Sequence, residues 1–186
     1  MRSLFLGGCN MATLYILCGP SGCGKTTWAR EFMSDDEDVR YVSRDEIRFS
    51  MLKEDEDYFA HEKEVFRKFS GTIAQTLVDG FDAIADATHL NETSRKKLTR
   101  AIDEYTTDYS ITYVVFYTPI QKCYENDATR TGVRYVGERV IQGMFRSFKA
   151  PTLKEDSRAI KIIEVGEGKG DFSYLIEPYR KENENG

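Results

Sequence analysis

The segment Gly19-Pro20-Ser21-Gly22-Cys23-Gly24-Lys25-Thr26 matches the pattern G-x-x-x-x-G-K-[ST] at every fixed position. An apolar run at residues 14–18 precedes it, and a helix-like stretch follows it. The glycines let backbone N–H groups wrap around an anion, because a Cβ would obstruct the turns, and the following helix directs its positive end at the same anion. The segment therefore predicts a nucleoside triphosphate site, in which Lys25 reaches the β- and γ-phosphates and the Thr26 hydroxyl ligates Mg²⁺.

Eight residues in and directly after the loop are predicted to contact the nucleotide: Gly19, Ser21, Gly22, Cys23, Gly24, Lys25, Thr26 and Thr27. Within it, Cys23 lies near a helix N-terminus, which can lower the pKa of a thiol and make it sensitive to oxidation. The alternative for Cys23 is a small residue that fits the loop.

Strand-like and helix-like stretches alternate along the chain. Short runs rich in apolar, β-branched or aromatic side chains lie at residues 13–18, 39–43, 81–86, 110–117 and 159–165. Helix-like stretches lie between them, at residues 24–33, 45–53, 58–79, 92–105 and 137–149. This alternation favours right-handed βαβ units around a parallel sheet. We therefore predict a three-layer α/β fold with five parallel strands.

The length of 186 residues favours one domain. We assign it to residues 12–180, with an N-terminal extension at 1–11 and a flexible tail at 181–186. The N-terminus imitates a signal peptide, but its apolar core is short and interrupted by glycines, and no run approaches the roughly 18 apolar residues of a membrane helix. Four cysteines without C-x-x-C spacing fit a reducing compartment. We expect a cytoplasmic protein (host cytoplasm if a phage encodes it) with no membrane partner, and no oligomer is predicted.

Charge is distributed unevenly around a net value of −5. Residues 31–64 hold 13 acidic and 5 basic side chains, whereas residues 128–150 hold five basic side chains against Glu138 alone. Opposed faces of this kind are compatible with a localised anion site. The alternative for the acidic stretch is a solvated face.

Two further groups are expected near the phosphate loop, because catalytic side chains gather at the carboxyl ends of parallel strands. Asp45 follows the second strand, where its carboxylate could accept a proton from an attacking hydroxyl, and Arg48 lies one helical turn further on. This pair suits a hydroxyl acceptor that bears a nearby phosphate. The alternative is that Ser43 or Asp45 caps an ordinary helix.

The third strand ends at Asp86, where a ligand of Mg²⁺ or of its water is expected. The alternative is a turn-forming aspartate. After the fourth strand, Arg130 and Arg134 flank Gly132 on a connection that could close over the nucleotide and stabilise charge on the transferred phosphoryl group. The alternative here is a solvated basic loop.

The pattern of residues 14–149 resembles the kinase domain of bacteriophage polynucleotide 5′-hydroxyl kinase and its relatives in bacterial RNA-repair enzymes. The most specific similarity is the Thr27-Trp28-Ala29-Arg30-Glu31-Phe32 continuation of the phosphate loop, together with the Ser43-Arg44-Asp45-Glu46-Ile47-Arg48 block. The resemblance implies a three-layer P-loop kinase fold with a helical lid.

It also implies roles for residues that match the family's motifs. Asp45 would be the general base, Arg48 would engage the acceptor's phosphate, and Arg130 would contact the donor phosphates, with Arg134 as a competitor for that role. Asp86-Ala87-Thr88-His89 resembles the family's strand end, with Asp86 as the essential acid and His89 where an asparagine is more usual.

We therefore predict an ATP-dependent polynucleotide 5′-hydroxyl kinase that acts on single-stranded or nicked DNA or RNA in nucleic acid repair. Mg²⁺ is the expected cofactor, and GTP is an alternative donor. Because the net charge is negative, we expect only a few local contacts to the terminal nucleotides, from Arg48 and from Arg67, Lys68 or the Arg95-Lys96-Lys97 run, and a shallow dependence of binding on salt. The rival interpretations are a small-molecule kinase for a sugar or nucleoside, and a nucleotide-binding switch or ATPase subunit.

Overall fold

The sheet contains five strands, in a computed structural model that describes residues 11–34 and 36–166. They are β1 (Thr13–Cys18), β2 (Val39–Ser43), β3 (Asp82–Asp86), β4 (Ser110–Tyr117) and β5 (Ala159–Gly166). Every pairing is parallel, and the strand order is β2-β3-β1-β4-β5. The predicted α/β fold with five parallel strands is confirmed.

Six α-helices connect the strands: α1 (Lys25–Ser34), α2 (Arg44–Met51), α3 (Glu62–Val78), α4 (Glu92–Asp103), α5 (Ile120–Ala128) and α6 (Glu138–Ser147). A 3₁₀ turn at Gly132–Arg134 lies between α5 and α6. Helix α5 is not among the helix-like stretches that the sequence predicts, and α3 begins four residues later than the predicted start at Tyr58. Residues 58–61 instead form turns, in which the Glu62 amide donates to the Phe59 carbonyl.

The central strands form the interior of the molecule. Leu14, Ile16 and Leu17 on β1 are fully buried, and every residue of β4 is buried. Strands that are covered on both faces have nearly continuous apolar sequences. This explains why the sequence predicts the first and last residues of β1 and β4 correctly.

The order of the strands determines where a ligand binds. The first crossover runs from β1 to β2, and the later ones run in the opposite direction across the sheet. Right-handed connections then place α1 on one face and α3 and α4 on the other. At such a reversal the carboxyl ends of neighbouring strands border a crevice, which is the usual ligand site in α/β sheets.

In the part of the chain that the structure describes, no helix combines the length and the apolar character needed to cross a membrane. The predicted extension lies outside the described residues except for Met11, and the predicted tail lies wholly outside them.

Candidate active site

A cavity of about 500 Å³ opens at the carboxyl ends of β1, β2 and β3. Its walls include nine of the residues predicted from the sequence: Ser21, Lys25, Thr26, Thr27, Asp45, Arg48, Asp86, Arg130 and Arg134. The remaining predicted residues, Gly19, Gly22, Cys23 and Gly24, belong to the loop but not to the cavity wall. The structure thus brings the candidate donor and acceptor groups into one site.

The conformation of the phosphate loop depends on glycine at position 22. Gly22 has φ of +79°, and a Cβ there would overlap the backbone carbonyl of Cys123 on α5. The side-chain amide of Asn126 donates to the Gly22 carbonyl over 2.7 Å, and the Thr118 hydroxyl donates to the Cys23 carbonyl over 2.8 Å. Side chains of residues that follow β4 therefore stabilise the loop through hydrogen bonds to its carbonyl oxygens.

Lys25 is buried, and its ammonium group lies inside the loop. It donates to the carbonyl oxygens of Gly19 and Pro20 over 3.1 and 2.7 Å. The amide of Gly19 in turn donates to the Thr88 carbonyl over 2.9 Å, which ties the loop to the end of β3. A positive charge is thereby fixed where the loop's amides would bind an anion.

Cys23 does not have the environment of a reactive thiol. It is 4% exposed, and burial raises the pKa of its thiol despite the nearby Lys25 charge. Since the thiolate is the reactive form, this environment does not favour oxidation of Cys23. The alternative, a small residue that fits the loop, agrees with its burial.

Thr26 and Asp86 meet at the base of the cavity. The Thr26 hydroxyl donates to Asp86 Oδ2 over 3.0 Å, and the Tyr41 hydroxyl donates to the same oxygen over 2.6 Å. Asp86 Oδ1 accepts no hydrogen bond from the described residues, so one carboxylate oxygen remains for a ligand. Tyr41 is not among the site residues that the sequence predicts, although strand alternation places it on the same face of β2 as Ser43.

A hydroxyl and a carboxylate at this spacing fit Mg²⁺, which prefers hard oxygen ligands and retains several waters. Among the described residues, no group of three or more His, Cys, Asp or Glu side chains could hold a metal ion by itself. The arrangement therefore fits a cation that one or two protein oxygens and the substrate's phosphates share.

Asp45 lies on the opposite wall of the cavity, at the start of α2. Ser43 caps that helix, because its Oγ accepts a hydrogen bond from the Glu46 amide over 3.2 Å. Of the two caps that the alternative interpretation names, the structure confirms Ser43, so Asp45 is not the residue that caps the helix. Its Oδ1 instead accepts hydrogen bonds from Arg48 over 2.5 Å and from the Tyr58 hydroxyl over 2.9 Å, and its side chain is 64% exposed.

Arg48 is buried within a cluster of charges. Its guanidinium also donates to Glu62 Oε2 over 2.7 Å, and the other oxygen of Glu62 accepts from Arg44. Although partial burial opposes ionisation, the bond from Arg48 and the charges of both arginines lower the pKa of Glu62. A solvated face is the alternative interpretation of the acidic stretch that contains Glu62, and the structure shows instead that Glu62 neutralises two arginines beside the candidate base.

The two lid arginines point to different parts of the cavity. Arg130 donates to the Ser21 hydroxyl of the phosphate loop over 2.7 Å. The guanidinium carbon of Arg134 lies 5.0 Å from the ring centroid of Phe49, on the acceptor side. Asp127, which is 1% exposed, pairs with Arg130 and accepts from the amides of Val136 and Gly137, so it fixes the connection that carries both arginines.

His89 is a structural residue of the site. It is 5% exposed, and its Nδ1 lies 2.9 Å from the carbonyl oxygen of Leu17. Burial, reinforced by the charges of Arg44, Arg95 and Lys25, lowers its pKa to about 3. The ring is therefore neutral and donates to the Leu17 carbonyl, which joins the end of β3 to the strand before the phosphate loop.

The lowered pKa of His89 predicts how folding stability depends on pH. Above pH 6.5 the ring is neutral in both states, and below it the unfolded chain gains a proton that the folded one does not. Folding stability is thus lost as the pH falls from 6.5 towards 3, by about 1.4 kcal/mol per pH unit. Between pH 7 and pH 5, we expect urea unfolding to show a loss about 2 kcal/mol larger in the wild type than in His89→Asn. Equal losses of folding stability in the two proteins would contradict the assignment of His89 as a neutral, buried ring.

A family model described as an AAA domain matches residues 14–151, most of the chain. Solved structures share the fold, which is that of P-loop kinases. One chain of a Pnkp1/Rnl/Hen1 RNA repair complex has a TM-score of 0.64 and 22% identity, over 76% of this chain and 46% of that one.

Two other solved structures are similar at lower identity. A fungal RNA kinase has a TM-score of 0.58 and 13% identity, over 94% of this chain and 43% of that one. A sugar kinase from Janibacter sp. HTCC2649 has a TM-score of 0.56 and 16% identity, over 92% and 93%. The chain thus spans less than half the length of the two RNA-related chains and nearly all of the sugar kinase.

Proposed function

The chain belongs to this AAA domain family, and from that premise we propose that it transfers the γ-phosphate of ATP to the 5′-hydroxyl end of DNA or RNA. The observation that carries the proposal is the acceptor wall of the cavity. It combines the Arg134 guanidinium against Phe49 with Tyr58 and the ring of Phe59, which is 63% exposed. Cations and exposed rings together suit an acceptor with phosphates and bases, whereas a neutral sugar has little use for the cations.

On the donor side, the loop amides and Lys25 bind the phosphates of ATP. Thr26 and Asp86 would hold Mg²⁺, which would neutralise charge on the phosphates when bound. Arg130 reaches the loop at Ser21, so in this proposal Arg130 and not Arg134 contacts the transferred phosphoryl group. Donors fixed around developing charge stabilise the transition state without rearranging during the reaction.

On the acceptor side, Asp45 takes the proton of the attacking hydroxyl. Its Oδ1 is engaged by Arg48 and Tyr58, which leaves Oδ2 for the substrate. Arg48 uses three of its five N–H donors on protein partners. A remaining hydrogen on Nη2 is available to the phosphate next to the attacking ribose.

A second candidate is a small-molecule kinase with a sugar or nucleoside acceptor. Two observations favour it: Glu62 already neutralises Arg48, and a sugar kinase is among the structures that are similar to this chain over nearly their full length. Since a fold does not fix the acceptor, the two candidates are separated by experiment.

End-labelling tests the proposal. With γ-labelled ATP and Mg²⁺, we expect label on an oligonucleotide with a 5′-hydroxyl and none on the same oligonucleotide with a 5′-phosphate, because the phosphate blocks the attacking atom. A parallel assay measures ADP release with a panel of sugars and nucleosides. ADP release on a sugar or nucleoside, without label on any oligonucleotide, would overturn the proposal in favour of the second candidate.

A further inference from the structure

The outward face of α3 and α4 carries a surplus of positive charge in a protein that is acidic overall. Apart from the buried Arg95, the two helices contain six basic and four acidic residues, whereas the whole chain has a net charge of −5. They pack against each other, and α3 also packs against β2 and β3. A local surplus of this kind attracts polyanions even when the whole molecule is negative.

Phe66 connects this face to the candidate active site. Arg44 lines the cavity, and its guanidinium carbon lies 5.5 Å from the centroid of the Phe66 ring. Lys97 on α4 places its ammonium 4.4 Å from the same centroid. Cations therefore continue from the cavity wall over Phe66 to the exterior of α4.

The cations of this face differ in their exposure and in whether a carboxylate already pairs with them. Arg95 is 1% exposed and forms two hydrogen bonds to Glu155, so it is structural, and the predicted contact through Arg95 is wrong. Lys96 pairs with Glu92 over 2.5 Å. Lys63 and Lys97 are exposed, and neither forms an ion pair with a carboxylate of the described residues. Lys68 and Arg100 are exposed in the same way and likewise form no ion pair with a described carboxylate, but Lys63 follows the cavity residue Glu62 in the chain and Lys97 lies against Phe66, so these two lysines connect to the cavity.

We infer that an acceptor strand whose 5′ end occupies the cavity continues over this face, with its backbone phosphates on Lys97 and Lys63. This inference rests on the proposed function. The row of cations with an aromatic ring fits a single-stranded nucleic acid, because proteins bind single strands in basic grooves that follow the backbone. Because Lys97 already lies against the Phe66 ring, the contacts are to phosphates and not to stacked bases, and binding there is independent of sequence.

Acceptor length tests the inference. The KM of a 5′-hydroxyl dinucleotide is compared with that of a 20-mer that begins with the same two nucleotides. For the double variant Lys63→Glu/Lys97→Glu, we expect the KM of the 20-mer to rise roughly tenfold with kcat unchanged and the KM of the dinucleotide unaltered. The slope of log KM against log salt should fall by about 0.7 for each phosphate of the single strand that the variant no longer binds.

Two further variants separate this effect from general electrostatics and from misfolding. Lys161→Glu, an exposed lysine on β5 at the far edge of the sheet, should leave both KM values unchanged. Lys97→Met removes the charge without reversing it and should raise the KM of the 20-mer by a smaller factor.

The outcomes distinguish the proposed function from the path of the strand. If no oligonucleotide of either length is labelled, the proposed function fails. If both lengths are labelled, but the 20-mer's KM is the same in the double variant as in the wild type, this inference alone is overturned.

Discussion

Asp45→Asn is expected to lower the rate of phosphoryl transfer by about 10²–10⁴-fold, the usual contribution of a general base. The substitution keeps the shape of the side chain but removes its capacity to accept the proton from the attacking hydroxyl. ATP binding should be unchanged, since Asp45 contacts Arg48 and Tyr58 and not the phosphate loop. End-labelling of a 5′-hydroxyl oligonucleotide measures the rate, and equilibrium titration with ATP measures the binding.

Asp55→Asn provides the matched control. Asp55 is an exposed aspartate in the connection between α2 and α3, outside the cavity, and its φ of +67° is one that asparagine also tolerates. It should label oligonucleotides at the wild-type rate. A wild-type rate in Asp45→Asn would exclude Asp45 as the base, and an absence of ATP binding in that variant would show that the substitution damages more than the acceptor side.

The sequence predicts those elements whose characteristic pattern lies within one short segment of the chain. The phosphate loop is a contiguous motif, and β1, β2 and β4 are short apolar runs with clear ends, so their bounds agree with the structure. Asp45 and Asp86 could be placed near the loop because the carboxyl ends of parallel strands lie along one edge of the sheet.

The sequence did not predict groups whose importance comes from contacts between distant segments. In the sequence, Glu62 is one of many acidic residues in an acidic stretch. Only the packing of α3 against α2 brings it to Arg44 and Arg48. Tyr58 is predicted in a helix, whereas the turns before α3 carry its hydroxyl to Asp45. Helical periodicity predicts which residues share a face, but it does not predict which face meets another element.

Arg130 and Arg134 show the same limitation at finer scale. Four residues apart on a glycine-interrupted connection, they are equivalent in the sequence. The 3₁₀ turn and the hydrogen bonds to Asp127 separate them, one towards Ser21 and the other towards Phe49. Spacing predicts that both approach the site, and the local backbone determines which half each reaches.

Lys25→Met is expected to abolish detectable transfer, with a loss above about 10³-fold, because it removes a charge that acts on both the ground-state phosphates and the moving phosphoryl group. The ammonium also donates to the carbonyl oxygens of Gly19 and Pro20 in the loop. Leaving buried carbonyls without a partner costs about 1–3 kcal/mol, so a lower melting temperature is expected together with weaker ATP binding. Titration with ATP, thermal unfolding and end-labelling measure the three effects separately.

Lys122→Met tests whether any lysine would give the same result. Lys122 is exposed on α5 and pairs with Glu125 over 2.9 Å, and such surface pairs contribute about 0–1 kcal/mol, so this variant should retain binding, stability and rate. Lys25→Arg is more informative: its planar guanidinium keeps the charge but not the compact shape of an ammonium, and the buried loop leaves little room for it. We therefore expect Lys25→Arg to be nearly as inactive as Lys25→Met. If it retained the wild-type rate, charge alone would explain the role of position 25, and the close fit of the ammonium between the two loop carbonyls would have no part in catalysis.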